Sequence, residues 1–321
     1  MDATPPELVA LASSPRWEDR CQAAERLAAY DDEVARQALL RLLTDSEDTA
    51  PIQAAAHALI ARGDEAGARL IFRAIALGDD DASDHLLYFT GGDGNLAPHA
   101  VHAAERGEDL ESEGAVELLR HGGAPGFAPG ASVAGKALRA HLTGFFAGHR
   151  IELRDWPLGP ILRRVPAFGV YAVAPGPRLT SAWTYVTTGC WDALHDRQGH
   201  GLEFVLSAAT DGDRHVELLT MLAHYHAGPA SQRMDWGHTV PIGEPWLPGS
   251  HLTHELISLP YAFGPQLERC AFDGGHIRIL AVQPISEAER DFKAAHGVEA
   301  LERRFEEEGI AWTDPFRPSV L

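Results

Sequence analysis

Lysine is nearly missing from this chain: of 27 basic residues only Lys136 and Lys293 are lysine. Positive charge is scarce altogether, with 27 basic against 46 acidic side chains and a formal net charge of −19. Such a surface repels phosphates and has few groups to displace their counterions, so no direct nucleic-acid partner is expected. An anionic membrane is disfavoured for the same reason. Cysteine is sparse too. Cys21, Cys190 and Cys270 are odd in number, far apart and without CxxC spacing, which excludes a disulfide framework and a zinc ribbon. No apolar run approaches the roughly 20 residues needed to span a bilayer. The opening MDATPPELVALASSP lacks a basic region followed by a sustained apolar core, so a cytoplasmic location is expected.

What is present is ordinary globular material: 321 residues, 45% hydrophobic and 23% charged, enough for two separate cores. The charge is uneven. Residues 1–125 hold 24 acidic and 10 basic side chains (net −14), and residues 126–321 hold 22 and 17 (net −5). An acidic field of this kind either steers a basic protein partner or simply keeps the chain soluble. The first third also repeats. Ala23, Ala24 and Leu27 are echoed 32 positions later by Ala55, Ala56 and Leu59. An acidic break follows each, then a second apolar-periodic run, at 34–43 and 66–77. Helix, acidic turn, helix at a period in the low thirties resembles HEAT-like repeats, against the alternative of an irregular helical bundle. Further helices are expected at 83–89, 97–106 and 112–121.

Gly122-Gly123-Ala124-Pro125-Gly126 reads as a linker, dividing the chain into a helical-repeat domain, 1–125, and a second domain, 126–321. A helix is expected at 133–148, and then the texture changes. Strands are expected at 165–174, 183–188, 202–207, 252–261 and 277–284. A buried helix at 213–225 and a closing helix at 287–308, broken near Gly297, interleave with them. The fold class is therefore α+β: an all-α repeat region followed by an α+β domain with a mixed sheet and flanking helices.

The segment from about 170 to 321 carries several pieces in a fixed order. Tyr185-Val186-Thr187-Thr188-Gly189 resembles a YxxxG strand end, and Gly201-Leu202-Glu203-Phe204-Val205-Leu206 a GxEFxL core strand. Trp236-Gly237-His238 resembles a GH element, followed by the strand ILAVQPI and the tail DPFRPSV. Together they are similar to the Suppressor of fused family, whose members bind and sequester protein partners and are not known for catalysis. In animal members a partner peptide is gripped as an added strand, helped by a Tyr and an Asp that follow the YxxxG strand. Here Cys190 to Gly199 offers Trp191, Asp192, His195 and Asp196 but no tyrosine. Bacterial members commonly resemble immunity proteins, which neutralise a toxin. What the resemblance implies for binding falls on Tyr185, Trp191, Asp192, Asp196, Glu203, Trp236 and His238.

Catalytic alternatives have thinner support. His224 and His226 lie two apart, so on a helix they project about 200° from each other and cannot share an ion. His251, His254 and Glu255 form HxxHE, which is neither HExxH nor HxxEH. Gly249-Ser250-His251 lacks a nucleophile elbow and reads as a turn. Cys190 reads as a buried strand-end thiol, and Gly91-Gly92-Asp93-Gly94 and Gly274-Gly275 as turns. Asp79-Asp80-Asp81 lacks EF-hand spacing and suits a helix N-terminus. Trp183 and Trp246 read as core staples, whereas Trp191 and Trp236 are equally suited to anchoring an interface. No cofactor or metal is expected.

The expectation is thus a non-enzymatic protein-binding module, an immunity protein that occludes a toxin. Its partner would be basic, a nuclease for example, since such an enzyme holds phosphates. The alternatives are a bacterial scaffold or regulatory adaptor, and a metal-dependent hydrolase using scattered histidines.

Overall fold

The computed structural model describes residues 4–91, 93–106, 109–122, 124, 127–154, 156 and 160–321. Met1 to Ala3, Gly92 of the glycine-rich turn, and Gly123, Pro125 and Gly126 of the expected linker lie outside the described residues, as does the side chain of Asp80. The chain separates into two compact units, one ending at Ala128 and one beginning at Pro129. Among the described residues no helix is long and apolar enough to cross a membrane.

The first unit is helical: α1 (Pro6–Leu11), α2 (Trp17–Leu27), α3 (Glu33–Leu43), α4 (Thr49–Arg62), α5 (Glu65–Leu77), α6 (Asp80–Thr90), α7 (Leu96–Arg106) and α8 (Leu110–His121). The repeated acidic breaks are helix caps. Asp32, Asp64, Asp79 and Asp109 each accept a hydrogen bond from the backbone N–H three residues on, satisfying an otherwise orphaned donor. The 32-residue echo has a packing counterpart, because α2 lies against α4 and α3 against α5, with α6 continuing the first row. The second row departs from regularity. α8 packs closely on α5, and Gly114 makes this possible: a Cβ there would stand 1.8 Å from the Phe72 carbonyl oxygen. Buried Arg20 ties α2 to the turn between α3 and α4, with Nε 2.7 Å from Asp45 and Nη2 2.5 Å from Asp48.

The second unit begins with α9 (Val133–Phe145) and runs through β1 (Ile151–Arg154), α10 (Ile161–Arg164), β2 (Gly169–Val173), β3 (Trp183–Thr188), α11 (Cys190–Ala193), β4 (His200–Ala208) and α12 (Asp213–His226). It closes with β5 (Thr239–Pro241), β6 (Leu252–Ser258), α13 (Pro265–Glu268), β7 (Arg269–Phe272), β8 (Gly275–Ser286), α14 (Glu287–His296) and α15 (Val298–Glu308). The strands form one mixed sheet, β1-β2-β3-β4-β8-β6-β5, with β7 also on β8 and the β4–β8 pair parallel. One face is covered by α12, over Val170, Ala172, Tyr185, Phe204 and Leu206. The other is covered in two blocks. α9 and α13 lie over Tyr171, Val186, Val205 and Ile279, while α14 and α15 lie over Leu256 and Ile285.

Two expected strands change. The first, placed at 165–174, begins only at Gly169, after a helical turn, and is buried throughout because both faces are covered. The strand placed at 252–261 stops at Ser258, since Pro260 has no N–H to continue the ladder.

Candidate functional site

The gap between the two covering blocks is the candidate site. Strand register sets its floor. Val205 pairs with Ala281 and Ala281 with Ser258, and Gln283 opposite Leu256 extends the same face, as does Ser207 on β4. The walls are residues 259–263, the inner stripe of α15 and the tail around Trp312, enclosing a cleft of about 700 Å³. Four rings line it: Tyr261, Phe263, Phe305 and Trp312. Its charges are Glu299, Glu302 and Glu306 against Arg303.

Glu302 is the best-anchored group there. Ser258 Oγ donates to its Oε1 at 2.6 Å, Trp236 Nε1 to the same oxygen at 3.2 Å, and Tyr261 Oη to its Oε2 at 3.0 Å. Burial, reinforced by the Glu302 charge, pushes the Tyr261 phenol up to about 12, so it remains a donor. Gln283 donates its amide to the Trp312 carbonyl at 3.3 Å, fastening the tail to the sheet.

Of the residues singled out from sequence, Trp236 alone reaches this cleft, through Glu302. His238 is exposed nearby; its carbonyl accepts from the Ile257 N–H, and the Gly237 N–H donates to the Ile257 carbonyl at 2.7 Å. Gly237 has φ +84°, the left-handed turn that lets both groups of the loop reach β6.

Trp191, Asp192, Asp196 and Glu203 gather at the opposite, N-terminal end of β4. Glu203 is buried, and accepts from Thr187 Oγ1 at 2.6 Å and the Trp191 N–H at 3.0 Å. Burial pushes its carboxyl up to about 7 despite those donors. Trp191 is half-buried; its indole N–H is shared between the Gly199 and His276 carbonyls, and its ring stacks on His195 at 4.1 Å and 4°. Asp192 accepts from Ser132, the cap of α9, and burial raises its pKa. Asp196 is exposed and folds the 194–200 loop by accepting from the Gln198 and His200 N–H groups, which lower its pKa.

Tyr185 lies in a third place, fully buried, its hydroxyl donating to Asp211 at 2.6 Å. The Arg154 guanidinium also holds Asp211, at 2.6 and 2.9 Å, and keeps its carboxyl down at about 2. Tyr185 and Glu203 therefore present no surface to a partner; they position the residues around them. Tyr261, Glu302, Phe305 and Trp312 were missed from sequence. Phe305 alone had a signal, the apolar stripe of the closing helix, which serves core and cleft at once; Tyr261, Glu302 and Trp312 had none.

Several side chains with catalytic promise are buried or already hydrogen-bonded. His215 and His226 are buried, accept from Trp246 Nε1 and the Met234 N–H, and are driven down to about 4 by burial. Ser250 donates to the Pro315 carbonyl at 2.5 Å, and the Cys190 thiol is buried and pushed well up. Among the described residues no three His, Cys, Asp or Glu side chains converge as a metal set.

The sequence model of the Suppressor of fused protein family (SUFU) matches residues 165–318. The structure of a SUFU homologue from Neisseria gonorrhoeae FA 1090 is 35% identical, with a TM-score of 0.51, the match covering 58% of this chain and 96% of that one. The chain belongs to the Suppressor of fused family. The Sufu–Fu complex structure is similar at 16% identity and TM-score 0.47 (58% of this chain, 91% of that one). Drosophila Suppressor of Fused is similar at 15% and 0.45 (59% and 51%). No curated protein matches.

The Suppressor of fused motifs in this chain have physical reasons. Gly189, ending YVTTG, has φ +100°, and a Cβ there would stand 2.4 Å from the Ala167 carbonyl oxygen. In DPFRPSV, Asp314 caps the turn through the Phe316 N–H, and Arg317 is a buried clamp. Its guanidinium meets both oxygens of Glu289, at 2.7 and 2.9 Å. Burial opposes ionisation of Glu289, but Arg317 and the Ser286 N–H prevail and hold its carboxyl below the usual range.

Proposed function

We propose that this Suppressor of fused member is a protein-binding module that neutralises a basic toxin by covering its surface. The observation that carries this reading is the cleft beside Glu302, a concave, ring-lined, acidic opening between the two blocks on the sheet. Rings with an apolar body and a polar rim suit the centre of a protein interface. Of the exposed or half-buried residues singled out earlier, Trp236 adjoins this cleft through Glu302 and His238 lies in the same loop before β5, while Trp191, Asp192 and Asp196 are read as a second contact patch at the N-terminal end of β4. The helical unit is read as a HEAT-like arm on the strength of its stacked rows, and as the main source of the acidic field. A nuclease suits such an inhibitor, because its active surface is basic to hold phosphates.

The test is capture of the partner from native lysate at low and at high salt, followed by assay of the captured protein with and without this chain. A stoichiometric basic toxin, silenced in the complex, is the expected result. An acidic partner, or none, would overturn the reading.

A further inference from the structure

Several carboxylates of this protein are held by a guanidinium; Glu302, like Asp32 and Glu203, is held by neutral donors instead, and of these three it is the one that lines the cleft. Asp45 and Asp48 face Arg20, Asp211 faces Arg154, Glu268 faces Arg278, and Glu289 faces Arg317. Each has a guanidinium as partner. Glu302 has three neutral donors, from Ser258, Tyr261 and Trp236, and no cation within ion-pair distance among the described residues. A carboxylate offers about four acceptor positions, so three donors leave one open and the charge unanswered. Glu299 and Glu306 stand three and four residues away on the same stripe of α15, deepening the negative potential. Arg303, one residue on and turned about 100° around the helix, is exposed at the edge of the cleft and leaves its lining with three carboxylates against one guanidinium. On the floor, Gln283 spends its amide N–H groups on backbone carbonyls, while its carbonyl oxygen accepts nothing from the described residues.

Resting on the occlusion reading above, we infer that the cleft receives an arginine side chain of the partner. Its guanidinium lies among the Tyr261, Phe305 and Trp312 rings and donates to Glu302 and Gln283. The chemistry selects this group. A flat, weakly hydrated cation with five donors can stack on ring faces while reaching acceptors on two separate residues. An anionic or apolar side chain leaves Glu302 uncompensated in a half-buried place. A carboxylate fixed in advance by three donors also loses little freedom on binding.

The experiment titrates N-acetyl-arginine amide into the isotope-labelled full chain, with N-acetyl-citrulline amide as the uncharged analogue of equal shape. The expected dissociation constant is on the order of a millimolar for a probe of this size. Shifts should fall on residues 258–263, 281–283 and 302–312, and citrulline should bind at least about tenfold more weakly, the loss of a charge-assisted bond. Glu302→Gln should bring arginine down to the citrulline level, with Gln283→Leu as a second variant should Glu302→Gln not fold. Equal binding of the two amides, shifts elsewhere, or no binding to the unaltered chain would overturn the inference. If the amide fails while a protein complex still forms, only the arginine assignment falls; failure to form any complex removes the occlusion reading itself.

Discussion

Buried ionisable side chains set how this protein should respond to pH. Glu255 sits on β6 with one carboxyl oxygen unpartnered, and burial raises its carboxyl from 4.5 to about 8. Glu203 rises to about 7 in the same way. Both are raised in the folded state, so the stability they confer is complete below about 4.5 and is lost as pH climbs toward 7 and 8. His215 and His226 are lowered from 6.5 to about 4, so their contribution is present above 6.5 and lost as pH falls toward 4. Between about 4.5 and 6.5 the two pairs oppose each other. Maximum stability should therefore lie on the acid side of neutral, with Glu255 alone costing about 2 kcal/mol between pH 6.5 and 8 at about 1.4 kcal/mol per unit. Chemical denaturation across pH 4–9 checks this; Glu255→Gln should flatten the alkaline limb, and an unchanged limb would refute the assignment. The Arg317–Glu289 pair makes a second case. Arg317→Ala strands a buried carboxylate and should cost about 3–5 kcal/mol, read as a lowered melting temperature. The DPFRPSV tail was visible in the sequence as a motif, but the partner of its arginine, 28 residues upstream, was not.

The helices were largely legible because their apolar residues recur every three or four positions and, at α3, α5, α6 and α8, the cap is spelled out as Asp before the run. Asp64→Ala should cost about 1 kcal/mol through loss of its bond to the Gly67 N–H. Gly114 was not legible, since a glycine inside a helix looks like a defect until Phe72 is placed against it. Gly114→Ala should drive α8 off α5 and destabilise by about 1–3 kcal/mol, against a gain if the site were open. Paired thermal melts of the two variants separate capping from close packing. β1, β5 and β7 escaped notice because each is only three or four residues long, too short for a periodicity to register. The cleft escaped for a related reason. Its floor comes from three strands and its walls from residues 259–263 and 299–312, and no single stretch carries a signal for the space between them.

Charge acts over the longest range here, and it predicts how binding should depend on salt. Residues 1–125 carry net −14 and the rest net −5, so a basic partner meets an attractive field well before any contact forms. Screening shortens that reach to about 8–10 Å at 0.10–0.15 M salt and to about 3 Å at 1 M. The association rate with a basic partner should accordingly fall by about tenfold or more between low and high salt. The dissociation rate is set by different groups. Rings and a half-buried carboxylate covered by a partner, exposed Tyr261 included, are then shielded from ions, so the lifetime of the complex should change far less, and truncating Tyr261 or Trp312 should shorten it without altering the salt slope of association. Surface plasmon resonance across the salt range, with the unaltered chain and with Tyr261→Ala, reads both rates. If association is insensitive to salt, the acidity of this chain serves solubility alone. If dissociation tracks salt as steeply as association does, the contact is a rim of exposed charges and the cleft is not where the partner is held.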